Sequence, residues 1–165
     1  LISKGGEQIM ATVQNMLEEE RHDDTIKDQY LTFAIEDEDY GVEIAYVKEI
    51  IKMTPITKVP EMPNFIEGLI NLRGDLIGVL DVRKRFNKPS KDHDEETCII
   101  VIMYSDYTLG MIVDAVQETA IIPEERIFAP PSAKLSYANQ FIRNIGKVGD
   151  EVKLLMDIER FLAQD

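Results

Sequence analysis

Along most of the chain apolar and polar residues alternate with a period of two, the spacing of a β-strand with one buried face. Leu31, Phe33 and Ile35 alternate with Thr32, Ala34 and Glu36, and Asp37-Glu38-Asp39 reads as a turn into a second strand at 40–44. A third strand is expected at 47–53. Pro55, Pro60 and Pro63 forbid long regular structure at 54–64, because proline brings no amide hydrogen to a ladder. Residues 69–72 and 76–82 flank Arg73-Gly74-Asp75, a hairpin signature, and 83–86 starts a short helix. Residues 87–96 contain no apolar side chain and read as a junction. Strands resume at 98–103 and 109–113 around the turn Ser105-Asp106, then at 116–122, 141–148 and 152–156, with a closing helical turn at 158–162. Many short strands, frequent turns and no long helix in the body predict an all-β sandwich or barrel.

Residues 1–27 follow a different period. Ile9, Met10, Val13, Met16 and Leu17 fall on one helical stripe, and Glu18-Glu19-Glu20-Arg21 follow. This predicts an amphipathic helix on a loosely docked tail; a partner-binding helix is the sharper alternative, and the pattern does not separate the two.

The chain also repeats itself. Gly41, Val47 and Glu49 are spaced as Gly110, Val116 and Glu118, each 69 residues further on. The segment 76–86, with Asp81 and Phe86, resembles 152–161, with Asp157 and Phe161; Asp81 and Asp157 are 76 residues apart. The larger second offset fits extra residues in the second half, around 130–136. One small β unit is therefore used twice, with Gly41 and Gly110 at a bulge or a close backbone approach. Units of about 60–70 residues are marginal alone, so the two are expected to bury surface against each other and leave a groove between them.

Composition then narrows the function. The chain has 165 residues, 44% hydrophobic and 30% charged, which suits a globular protein. Its formal net charge of -13 would repel phosphate backbones and anionic lipid. No apolar run approaches the roughly 20 residues that span a bilayer, and residues 1–6 carry no signal-peptide pattern. A single cysteine, Cys98, sits in a very apolar stretch and reads as a buried, inert thiol in a cytoplasmic protein.

Candidate chemistry is thin. His22 and His93 lie in polar stretches, and Asp92, His93, Asp94 and Glu95 read as a solvated loop rather than a metal site. Gly5-Gly6 and Gly146-Lys147 lack the context of a phosphate loop. Asp81, Asp114 and Asp157 each follow an apolar strand, and capping of a helical turn accounts for all three. No nucleophile with a base and no metal cluster is apparent, so no catalytic residue, metal or cofactor is expected. What remains is surface apolarity: Ile50 beside Ile51, and Phe65-Ile66 after a proline, with Arg73 at a turn tip as a charged anchor for an interface.

One block resembles a known family. Pro63-Asn64-Phe65-Ile66-Glu67-Gly68-Leu69-Ile70-Asn71-Leu72-Arg73-Gly74, followed by Val79, Asp81, Arg83 and Phe86, is similar to the signature of the CheW family. Tyr40-Gly41, Val47-Lys48-Glu49-Ile50 and the run from Gly110 to Val116 match further elements in order, and Gly78 departs from a frequent proline. The resemblance covers about 29–162. It implies two five-stranded SH3-like barrels with strands exchanged near the junction: 28–90 (completed by 157–165) and 91–156, forming one CheW-like domain over 28–165. It implies a non-enzymatic adaptor, coupling a chemoreceptor's cytoplasmic helical tip to the regulatory domain of the chemotaxis histidine kinase, in the cytoplasm at membrane-associated receptor arrays. It places Val47, Glu49, Arg73, Cys98, Gly110 and Val116 at the receptor groove, and Ile50, Ile51 and Gly68 at the kinase contact. The alternatives are a CheW-like module of a larger protein (receiver-fused or kinase regulatory), a small-barrel nucleic-acid binder disfavoured by the charge, and, last, an enzyme.

Overall fold

The computed structural model describes Ala11, Gln14, Asn15 and residues 27–130 and 140–163. Among the described residues eleven strands form: β1 (Gln29–Ile35), β2 (Glu38–Glu43), β3 (Val47–Lys52), β4 (Ile66–Leu72), β5 (Asp75–Asp81), β6 (Cys98–Tyr104), β7 (Tyr107–Val113), β8 (Ala115–Ile121), β9 (Ile127–Phe128), β10 (Ile142–Val148) and β11 (Glu151–Met156). Among residues 27–130 and 140–163 two short α-helices, α1 (Val82–Arg85) and α2 (Ile158–Leu162), follow β5 and β11. Each begins where predicted, with an aspartate accepting an amide N–H: Asp81 from Arg83 at 2.9 Å and Asp157 from Arg160 at 3.1 Å. Of the expected N-terminal helix, Ala11, Gln14 and Asn15 are helical, and the apolar stripe itself lies outside the described residues. Gln14 Oε1 accepts the amide of Ile50 on the outer edge of β3 at 3.1 Å.

The strands make two sheets, one ordered β8-β1-β2-β11-β10-β9 and one ordered β3-β6-β7-β5-β4. These are the two barrel-like units expected, with the two-residue β9 adding a sixth strand to one of them. The division between them does not fall at residue 90. β1 and β2 pair with strands of the second half, while β3, β4 and β5 join β6 and β7. Each half thus gives its first two strands to one sheet and its later ones to the other: the five-stranded sheet is the contiguous run from β3 to β7, and the six-stranded sheet is assembled from the two ends of the chain.

Register shows that the internal repeat is real. In the six-stranded sheet β2 runs parallel to β11 with Gly41 opposite Leu155; in the five-stranded sheet β7 runs parallel to β5 with Gly110 opposite Val79. These are repeat-equivalent pairs. The register shift between Ile66 and Gly68 recurs between Ile142 and Asn144. The bond from Asp81 N–H to Phe65 O recurs from Asp157 N–H to Phe141 O, both at 2.8 Å. Gly41 and Gly110 sit in regular ladder positions, and close approach accounts for them: a Cβ would lie 2.9 Å from Leu155 Cδ2 or 2.8 Å from Ile99 Cγ2.

Packing explains why the two units stay together. The largest apolar cluster lies between the sheets and draws on both, from Leu31, Phe33 and Tyr40 to Ile100, Phe141 and Phe161. A smaller cluster (Ile70, Ile77, Val79, Ile99, Val101, Ile112) fills the five-stranded unit, and Tyr30, Ile122 and Leu155 fill the other. Arg85, buried, stacks 4.6 Å from the ring centroids of both Phe65 and Phe141 and donates to Phe161 O and Ala163 O. It ties the end of the first half to the C-terminal helix.

Candidate functional site

The expected receptor residues separate into three environments. Val47 and Cys98 are buried, and Val116 packs against them, in the cluster between the sheets. Burial pushes the Cys98 thiol up to about 12, against a smaller opposing effect of the Val116 backbone amide, so the sulfur is protonated and inert at neutral pH. Gly110 is buried in β7 with its α-carbon against Ile99 and Val79, on the inner side of the five-stranded unit. Glu49 and Arg73 alone form a polar feature at the surface.

That feature has a defined geometry. Arg73, at the tip of the β4–β5 hairpin with φ 51°, donates from Nη1 to Glu49 Oε2 and from Nη2 to Glu49 Oε1, both at 2.6 Å. The partners differ sharply in exposure: the Glu49 side chain is 8% exposed, the Arg73 side chain 70%. The buried carboxylate holds a flat, forked cation toward solvent, the form in which arginine anchors protein interfaces. Beside it opens a cleft of about 450 Å³ lined by Lys48, Leu72, Arg73, Asp75, Leu76, Ile77, Asp106 and Thr108. Leu76 and Tyr107, on adjacent parallel strands, are 70% and 72% exposed next to it.

The residues assigned to kinase contact are less exposed than their sequence suggests. Ile50 is buried between the sheets, and Ile51 packs half-buried into the five-stranded unit. Adjacent strand residues point to opposite faces, and here both faces are covered. Gly68, at φ 147°, is pressed against the loop at 54–64: a Cβ there would lie 2.1 Å from Thr57 O. Thr57 and Leu69 exchange two backbone bonds of 2.8 Å across that contact, and Val59 and Met62 stand exposed on the same loop.

Three features escaped the sequence reading. Asp114 caps no helix. It forms a forked pair with Arg83 (2.8 and 2.6 Å) and accepts the Glu36 amide at 2.8 Å, joining α1, the β7–β8 turn and the β1–β2 turn. Burial alone would raise its pKa, and the Arg83 and Glu36 hydrogen bonds overcome that and hold it below the ordinary value. Lys153 is 2% exposed and pairs with Glu151 at 3.0 Å and Asp39 at 3.2 Å. The cleft beside Arg73 is the third. No run of the sequence advertises any of these, because each joins residues from separate strands. Among the described residues no group of acidic, histidine or cysteine side chains is placed to hold a metal ion, and no helix is long and apolar enough to cross a membrane.

Comparison with known proteins adds the family. Residues 29–165 match the model described as CheW-like domain. The chain is 30% identical over 156 residues to chemotaxis protein CheW of Klebsiella aerogenes, covering 94% of this chain and 91% of that one. It is 31% identical over 137 residues to chemotaxis protein CheW of Helicobacter pylori, covering 83% and 82%. Among solved structures, the scaffolding protein TtCheW from Thermoanaerobacter tengcongensis matches with a TM-score of 0.74 and 36% identity, over 79% of this chain and 88% of that one.

Proposed function

The chain belongs to the CheW-like domain family, and from that premise we propose that it is a non-catalytic adaptor that couples chemoreceptors to the chemotaxis histidine kinase. The observation that carries the reading is the clasp of Arg73 on buried Glu49, a rigid cation presented at the tip of one unit with exposed Leu76 and Tyr107 beside it. Such a surface suits recognition of another protein, where a few anchored residues carry most of the binding energy.

The helical tip of a receptor is assigned to the face bearing Glu49 and Arg73. Val47, Cys98, Gly110 and Val116 act beneath that face, by fixing how the two sheets meet. The kinase's regulatory domain is assigned to the neighbouring face, where β3 carries Ile50 and Ile51 and Gly68 holds the exposed loop bearing Val59 and Met62. Two separate faces let one protein hold both partners at once, and coupling then follows if the receptor's signalling states differ in how well they fit that assembly.

The test is a pair of binding measurements. Arg73→Ala is expected to weaken binding of soluble receptor tips about tenfold, the loss of one interface anchor, while affinity for the kinase changes less than twofold. Equal loss for both partners would end the two-face assignment, and no binding of either by the unaltered chain would end the adaptor reading.

A further inference from the structure

We propose that the N-terminal segment folds back as a helix over the outer edge of β3 and masks the face assigned to the kinase, so that the occupant of this edge in the free chain is the chain itself. β3 ends the five-stranded sheet, and its ladder partner is β6. Its outer side is an edge, a template for pairing with other chains unless something covers it. On that side the Ile50 amide donates to Gln14 Oε1 at 3.1 Å, a bond that reaches back 36 residues. A side chain of the N-terminal segment thus takes the ladder position that an incoming strand would use.

The neighbouring residues show which way the helix is turned. Ala11, Gln14 and Asn15 are helical; Ala11 and Asn15, one turn apart on one face, are exposed, and Gln14 is half-buried. At about 100° per residue, Ile9, Met10, Val13, Met16 and Leu17 make up the arc opposite Ala11 and Asn15. A helix held with Ala11 and Asn15 outward turns that arc to the sheet, where half-buried Ile51 and Met53 lie along the edge. Charge agrees with this. β3 carries Lys48 and Lys52 in a chain of net charge -13, and Glu18-Glu19-Glu20 follow the stripe directly. A helix this short is marginal alone in water, so it forms on the sheet and leaves it at small cost. That suits a displaceable cover: a kinase domain that needs the β3 edge binds only the fraction of chains whose edge is open.

The masking rests on the reading that β3 meets the kinase; the fold-back does not, and the two are measured separately. Amide exchange at Ile50 is followed by NMR in the full chain and in three variants. Val13→Glu, which puts a charge in the apolar arc, is expected to speed exchange at Ile50 about tenfold, and Gln14→Ala about threefold. Ala11→Glu, on the exposed face, leaves it unchanged. Unchanged exchange at Ile99 and Val101 in β6 certifies the fold of each variant. Equal Ile50 exchange in all four chains overturns the fold-back, and protection that grows with protein concentration overturns it in favour of a second copy. Binding of the kinase's regulatory domain is expected to tighten about threefold with Val13→Glu; affinity that is unchanged or weaker overturns the mask. If no form binds the kinase, the mask falls with the adaptor reading, while Ile50 exchange still decides the fold-back.

Discussion

The two hairpin tips, β4–β5 and β10–β11, are built on one backbone plan and carry different chemistry. In the first, Arg73 takes the left-handed turn position and closes on buried Glu49; in the second, Gly149 takes it at φ 61° and the equivalent Glu118 is exposed. Inside the first mouth is Ile77 beneath an open cleft; inside the second, Lys153 is locked between Glu151 and Asp39. A duplicated fold therefore does not imply a duplicated function. The closed mouth reads as a structural plug, and the open one, flanked by a presented arginine and two exposed apolar residues, is the face we propose for partners.

The sharpest break of this comparison is at Gly68 and its repeat partner Asn144. Both follow a register shift in their strands, but Gly68 alone has φ 147° and a backbone oxygen where a Cβ would go. Gly68→Ala is expected to cost roughly 3–4 kcal/mol, from strain and overpacking together. Asn144→Ala should cost less than about 1 kcal/mol, the usual range for a change that creates no clash. Urea unfolding of both variants checks it, and similar losses would mean that the halves are constrained alike.

Next in size is the plug. Lys153→Ala removes a buried cation and leaves a void beside Asp39, with an expected loss of about 2–3 kcal/mol. Lys153→Ile, which copies the residue at Ile77, should recover most of that, since an apolar side chain of similar reach replaces a buried ion pair at little cost. Thermal unfolding of the pair decides whether the ammonium is needed or merely its volume.

Smaller again is the Arg83–Asp114 pair that braces the units. Because Asp114 titrates below its ordinary value in the folded chain, its stabilisation is present above the unfolded carboxylate pKa of about 3.9 and is lost as pH falls through the depressed folded value. Asp114→Asn should cost on the order of 1 kcal/mol at pH 7 once solvent screening is allowed for, and the gap from wild type should shrink below about pH 4. A gap that is constant with pH would contradict the pairing. Of similar size is Arg73→Ala, which leaves the buried Glu49 carboxylate without its forked partner: the melting temperature should fall by about 2–4 °C, and a fall no larger than experimental error would mean that the clasp adds nothing to stability.

Much of this architecture was legible in the chain. Period-two alternation located ten strands, and the spacing of Gly41, Val47 and Glu49 against Gly110, Val116 and Glu118 exposed the repeat, because the same ladder geometry demands the same residues twice. Exchange of strands between halves was not legible at residue level, since a strand's pattern states which face is buried and not which neighbour it takes. The boundary expected at residue 90 failed for that reason. The same limit hid the Arg83–Asp114 clasp, and it made Ile50 and Ile51 look like surface when each had a core to enter. Arg73 was found because a charged residue at a turn tip must face outward, and Glu49 was found through the family resemblance; that they meet was visible only once β3 and the β4–β5 tip were placed together.

The adaptor account is tested most directly by reconstitution: receptor tips, the histidine kinase and this chain are combined, and kinase autophosphorylation is followed with the chain present, absent, or carrying Arg73→Ala. The account predicts that receptor-dependent control of the kinase appears only with the unaltered chain and falls to the chain-free level with the variant. Autophosphorylation that is the same in all three mixtures would contradict it.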